Sequence, residues 1–248
     1  SVARDQHRLV GQLDLEGVAA ASGAEGADAV PPGEWHAYGR TASGQRYSPL
    51  DQITPANVAQ LQKVWEFRTG DVRGRPGDPE ETTYEVTPLK VGNQLYLCTP
   101  HQSVIALDAT TGTQLWRREL GLPQGLALQH LTCRGLSYAP AETDAANGQS
   151  ATHGAPADGG ANCGARLFMA TPDGRLLAMS AKDGRPCPGF GSGGNFDLYG
   201  YMTHSNPSTY IPTSPVVVTQ RSLILGGTVL DNVSTKEESG VIRAFDIH

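Results

Sequence analysis

The chain has 248 residues and a formal net charge of −6, which excludes a general nucleic-acid binder, and no Lys/Arg cluster argues otherwise. Aromatics make up only 6% while Gly (30) and Pro (17) are plentiful, a composition suited to a turn-rich β protein with a sizeable core. No run of about 18 apolar residues is present, so no membrane-spanning helix is expected, and the polar opening Ser1–Asp5 has no signal-peptide pattern.

In chain order, residues 1–32 are rich in Ala, Gly and acidic groups with weak periodicity, and are expected to be a flexible lead-in. Glu34–Arg40 is aromatic and strand-like. Ile53–Leu61 offers Thr54 as an N-cap and Pro55 at the first helical position, which predicts a short helix. Lys63–Arg68 alternates as a strand and carries Trp65. Residues 70–82 read as a charged surface loop. Long loops are expected over 117–162 and 185–212, and 139–162 is too polar and small to order itself.

Between these loops one unit recurs. Ala106–Trp116 (ALDATTGTQLW) is a strand, a tight turn and a second strand start. Asp108 is placed to bond the backbone ahead of it, and Gly112 to take a positive φ. Ala178–Gly184 and Ala244–His248 are second and third copies. Each is preceded by a strand, a polar turn and another strand: Val86–Leu97, Arg166–Leu177 and Thr213–Leu225. Repeated strand-only units predict an all-β propeller whose loops converge on one channel.

The four cysteines lack CxxC spacing, which argues against a structural zinc site. Cys98, inside an apolar strand, is expected to be an inert buried thiol. Cys163 and Cys187 flank the second hairpin; two thiols and one disulfide both remain open, the disulfide conditional on an oxidising compartment. His130 and Arg134 have bland readings, a hydrogen-bonded structural histidine and a loop-tying guanidinium. Their neighbourhood says more, because Glu85–Pro88, Gln129–Gly135 and Val229–Asn232 fall at corresponding edges of successive units. Gly189–Gly194 looks like a phosphate loop but lacks a strand-to-helix context, and the Asn232-Val233-Ser234 sequon carries no weight. His101, His153 and His204 read as loop histidines.

From about Gly33 to His248 the chain resembles the propeller domain of pyrroloquinoline quinone (PQQ) dependent dehydrogenases, above all the bacterial membrane-bound glucose dehydrogenases. EWHAYGR, YEVTPLKVGNQLYLCTPH, IALDATTGTQLW, QHLTCRGLSY and VLDNVSTKEESGVIRAFD carry the resemblance, in family order. It implies an eight-bladed ring of Trp-docking repeats, of which this chain is about the first three to four blades. The Trp motif is intact at Trp116 and replaced after Gly184 by Pro186-Cys187-Pro188.

The resemblance also implies site roles. Glu85, Arg134, Thr213 and Thr228 would contact PQQ, an arginine fork suiting its carboxylates. Asp231 would ligate a divalent metal, with Asn232 a second oxygen donor, a set suited to Mg²⁺ or Ca²⁺. His130 stands on the stacking and substrate side, where alcohol-oxidising relatives have two adjacent cysteines; Cys133 has no such neighbour, so that ring disulfide cannot form. The implied activity is oxidation of aldose sugars, glucose to its lactone, with electrons passed to ubiquinone at the periplasmic face of the inner membrane. Family members carry an N-terminal membrane anchor that these residues do not include. The family's catalytic aspartate, a lysine and a second-face tryptophan lie beyond these residues, so no turnover is expected of this stretch alone. Exposed blade edges would favour self-association. The alternatives are a quinate/shikimate quinoprotein and a cofactor-free propeller scaffold.

Overall fold

A computed structural model of the chain describes residues 30–41, 43–126, 128–141, 163–202, 210–229, 235 and 239–248. All but the last three residues of the expected lead-in and most of the expected 139–162 excursion therefore lie outside the described residues.

The first blade is a four-stranded antiparallel meander of Leu89–Val91, Gln94–Cys98, Ser103–Asp108 and Gln114–Glu119. Its third strand is apolar and almost wholly buried, whereas the outer strand alternates and stays largely exposed. Ser137–Ala139, Arg166–Ala170, Arg175–Ser180 and Asn195–Asp197 repeat the meander as the second blade. In the third, Ser222–Leu225 lies between Val217–Val218 and Arg243–Asp246.

The period-two geometry of a strand explains how the blades stack. Leu167, Met169, Leu177 and Met179 of the second blade point one way, into a core shared with Leu89, Tyr96, Cys98, Val104 and Ala106 of the first. Phe168, Leu176 and Ala178 point the other way and pack with Leu223, Leu225 and Phe245 of the third. A near-continuous apolar run is what a strand covered on both faces requires.

The turns are built alike. Asp108 Oδ1 accepts from the amides of Thr110 (2.9 Å) and Thr111 (2.8 Å). The Gly112 amide bonds the Asp108 carbonyl at 2.9 Å, as the Gly184 amide bonds the Ser180 carbonyl at 2.8 Å. Both glycines have positive φ, +71° and +70°. Each is also covered by a tryptophan from the preceding unit: a Cβ at Gly112 would lie 2.5 Å from the Trp65 ring, and one at Gly184 2.7 Å from Trp116. The tryptophans thus join one unit to the turn of the next.

Gly184→Ala should lower stability by about 2 kcal/mol, combining left-handed strain with collision against Trp116. Gly193→Ala, at φ +64° with open space around it, carries the strain alone. Thermal unfolding should rank Gly184→Ala well below Gly193→Ala; equal losses would remove the docking term.

Several expectations change. Cys98 is not a free thiol: it is bonded to Cys133, with Cα atoms 6.0 Å apart. The end of the blade's second strand lies against the segment leading to the second blade, a neighbourhood set by folding rather than spacing. Cys163 and Cys187 do pair, with Cα atoms 5.5 Å apart. The expected helix shrinks to one 3₁₀ turn, Val58–Gln60, with no buried residue to reward a longer one. There Asn57 rather than Thr54 does the tying, its side chain bonding the Thr54 amide and Gln52 carbonyl, each at 2.7 Å. Lys63–Arg68 joins no ladder among the described residues; instead Trp65 and Phe67 cover Leu97, Ile105 and Leu107 on the outer face of the first blade. The 185–212 stretch contains Asn195–Asp197, a 3₁₀ turn at Tyr199–Tyr201 and the strand Tyr210–Ile211.

Candidate cofactor site

Two segments from different units run side by side and create the site. Glu81–Thr82 pairs in parallel with His130–Leu131, Glu81 opposite His130. The alignment continues through the Thr83 amide to the Leu131 carbonyl (3.1 Å), the Thr132 hydroxyl to the Thr83 carbonyl (3.1 Å) and the Thr87 amide to the Arg134 carbonyl (2.9 Å). Gly135 lets this strip approach closely, since a Cβ there would stand 3.2 Å from both the Thr87 carbonyl oxygen and the Pro215 ring. The Cys98–Cys133 bridge anchors it to the first blade.

Strand spacing puts Thr83 and Glu85 on one side, with His130 and Arg134 facing them. Arg134 Nε donates to Glu85 Oε2 at 2.8 Å, and its Nη1 donates to the Thr213 hydroxyl at 2.9 Å. Thr83 Oγ1 donates to Glu85 Oε1 at 2.8 Å and lies 2.6 Å from His130 Nε2. His130 Nε2 is 3.6 Å from Glu85 Oε1. One hydrogen-bonded chain therefore runs from Thr213 through Arg134, Glu85 and Thr83 to His130. The Thr83 hydroxyl holds the Glu85 carboxyl below the usual carboxylate range, helped by the Arg134 guanidinium and opposed by partial burial.

Glu85, His130, Arg134 and Thr213 are thus brought together, and Thr83 is the member that sequence reasoning missed. Its signal was its place two residues before Glu85, on the same face of an extended segment. Thr228 is exposed and stands opposite Ile211 in the antiparallel ribbon Tyr210–Ile211/Thr228–Val229, two residues from Thr213. Asp231 and Asn232 lie outside the described residues. Among the described residues no group of three or more His, Cys, Asp or Glu side chains is placed to hold a metal.

The donor set fits an anionic, carboxylate-bearing ligand. Arg134 is about one-third exposed (34%) and spends Nε and Nη1 on Glu85 and Thr213, leaving further N–H groups of its fork.

Beside this strip, the 70–82 loop is closed by a clasp. His101 Nδ1 bonds Asp71 and Nε2 bonds Asp78 Oδ1 at 2.8 Å. Asp78 Oδ2 also receives the Gly74 and Arg75 amides, both at 2.8 Å, and Arg75 Nη2 reaches Asp71 Oδ1 at 2.7 Å. A cavity of about 300 Å³ lies here, lined by Asp71, Arg73, Thr82, Thr83, Tyr84 and Pro100. Burial pushes the Asp71 carboxyl up, but the Thr99 hydroxyl and the His101 amide and ring outweigh it and hold it low. Asp78 behaves alike, burial being overcome by the His101 ring and the two loop amides.

A depressed folded-state carboxylate contributes stability that is present above its unfolded pKa and lost as pH falls through the folded value. The clasp should therefore loosen below about pH 4, near the ordinary Asp pKa. Asp71→Asn should flatten that acid limb in a pH series of unfolding midpoints; an unchanged limb would deny the clasp any linkage role.

The family model for the glucose/ethanol/alcohol dehydrogenase β-propeller domain of PQQ proteins matches residues 35–248. The chain belongs to this PQQ dehydrogenase family. Among curated relatives, a quinoprotein glucose dehydrogenase of Escherichia coli is 44% identical over 98% of this chain and 29% of its own length. Quinoprotein glucose dehydrogenase A of Acinetobacter calcoaceticus is 42% identical over 90% of this chain and 28% of its own. A quinate/shikimate dehydrogenase (quinone) of Acinetobacter baylyi is 35% identical over 86% and 26%. The chain thus spans under a third of the relatives it matches. A solved europium-containing methanol dehydrogenase, 23% identical with a TM-score of 0.57 over 88% of this chain and 30% of that one, shares the quinoprotein propeller fold. Among the described residues no helix is long and apolar enough to cross a membrane.

Proposed function

We propose that this stretch is the N-terminal part of the propeller domain of a PQQ-dependent sugar dehydrogenase and supplies one wall of its cofactor site. The observation that carries the reading is the unbroken chain from Thr213 to His130, drawn from three successive units and facing one another across a parallel strip. PQQ, when bound, supplies the hydride-accepting chemistry. Arg134 would grip a cofactor carboxylate through its free N–H groups, held in aim by Glu85 and Thr213. His130, one-quarter exposed (24%) at the end of the network, would face the sugar. Thr228 would add a further cofactor contact, and Asp231 with Asn232 the oxygen ligands for Mg²⁺ or Ca²⁺. Glucose is the substrate favoured by the relatives at 40–44% identity. The remaining blades would supply the proton-accepting group and complete the ring, electrons passing to ubiquinone at the periplasmic face of the inner membrane.

The test is calorimetric titration of the full-length protein with PQQ in the presence of Mg²⁺ or Ca²⁺, followed by assay with glucose, quinate and a dye acceptor. Metal-dependent binding with glucose turnover supports the reading. Turnover of quinate alone would move the substrate to the quinate class, and absence of PQQ binding would leave the scaffold reading in its place.

A further inference from the structure

Thr83 belongs to no motif, yet it is the only described residue that bonds both His130 and Glu85. A hydroxyl has one proton to give. Glu85, held ionised by its neighbours, can only accept, and its other oxygen is already fixed by Arg134 Nε. The Thr83 proton therefore goes to Glu85 Oε1. The remaining 2.6 Å contact can then be a hydrogen bond only if His130 Nε2 carries the proton and the threonine oxygen accepts it. In the neutral ring this leaves Nδ1 with the lone pair, and among the described residues Nδ1 has no hydrogen-bond partner. The strip's register enforces this: the Thr83 amide is tied to the Leu131 carbonyl, which fixes the hydroxyl beside the ring. Among the described residues, the charged groups on the strip beside the imidazole are Glu85, Arg134 beyond it, and Glu81 opposite in the ribbon.

We propose that Thr83 is a positioning residue that commits the Nε2 proton of His130 and so presents Nδ1 as the hydrogen-bond acceptor for a hydroxyl of the polyol substrate. This rests on the sugar-oxidising reading of the same site. Serine offers the same acceptor and donor; valine keeps the shape and offers neither.

The test uses full-length protein labelled with ¹⁵N-histidine and loaded with PQQ and Mg²⁺, with His130→Gln identifying the ring signals by difference. Wild type and Thr83→Ser should show a ring protonated at Nε2 alone, and Thr83→Val a mixture of the two tautomers. In parallel, kcat/KM for glucose should fall about tenfold in Thr83→Val, the scale of one lost hydrogen bond, and return in Thr83→Ser. A single Nε2 tautomer with wild-type kinetics in Thr83→Val would overturn the role of Thr83. So would a serine variant as impaired as the valine one. Protein that shows the expected ring signals but oxidises no sugar in any form would instead overturn the substrate reading beneath the proposal.

Discussion

Arg134→Ala in the full-length protein should weaken PQQ binding roughly 30-fold, the scale of one or two charge-assisted hydrogen bonds lost from a partly exposed site. The truncation removes the fork and also leaves the Glu85 carboxylate facing the ligand without its cation, so repulsion adds to lost attraction. Arg134→Lys restores charge without the planar pair of donors and should recover only a small part of the loss. Glu85 itself should titrate nearer the ordinary carboxylate value in Arg134→Ala, because one of the groups holding it low is gone. Titration calorimetry with and without the divalent metal reads the effect directly. Affinity unchanged in the alanine variant would make Arg134 a tie between units rather than a ligand.

Replacing Cys98 and Cys133 together by alanine should cost about 3–4 kcal/mol, the range for closing a loop of this length in the unfolded chain. The cysteines are 35 residues apart in sequence, and both are buried. The loss should reach the cofactor site, since Cys133 adjoins Arg134 and the bridge anchors the strip to the first blade. Cys163→Ala/Cys187→Ala opens a shorter loop, 24 residues, away from that strip. Chemical denaturation should show a loss in both double variants, with PQQ affinity falling only in the first. Equal affinity in both would confine the Cys98–Cys133 bridge to a stabilising role.

What could be read from residues alone was what is decided locally. Asp108, Gly112 and Gly184 announce their turns because an aspartate that bonds ahead and a glycine at positive φ are demanded within a few residues. The apolar runs Ser103–Asp108 and Arg175–Ser180 announced buried strands. Long-range choices stayed hidden. The partner of Cys98 depends on which segment folds against the end of its strand. The role of Thr83 depends on a contact with His130, 47 positions away, made across a parallel pairing. Lys63–Arg68 has a strand's alternation but finds no ladder partner among the described residues, and hydrogen bonding, unlike pattern, needs a neighbour. Glu85, His130, Arg134 and Thr213 were singled out through resemblance and shared unit edges; only coordinates could tell that they touch.

The span of the Arg134 contacts bears on the order in which the protein matures. Blade meanders join strands a few residues apart, so the first can close without waiting for the units that follow it. Arg134, by contrast, reaches back 49 residues to Glu85 and forward 79 to Thr213. Contacts of such high order form late, because loop-closure entropy must be overcome first. The cluster around Arg134 is therefore completed only once the third unit has joined the first two, and a chain ending before Thr213 would hold a finished first blade and an arginine with half its grip.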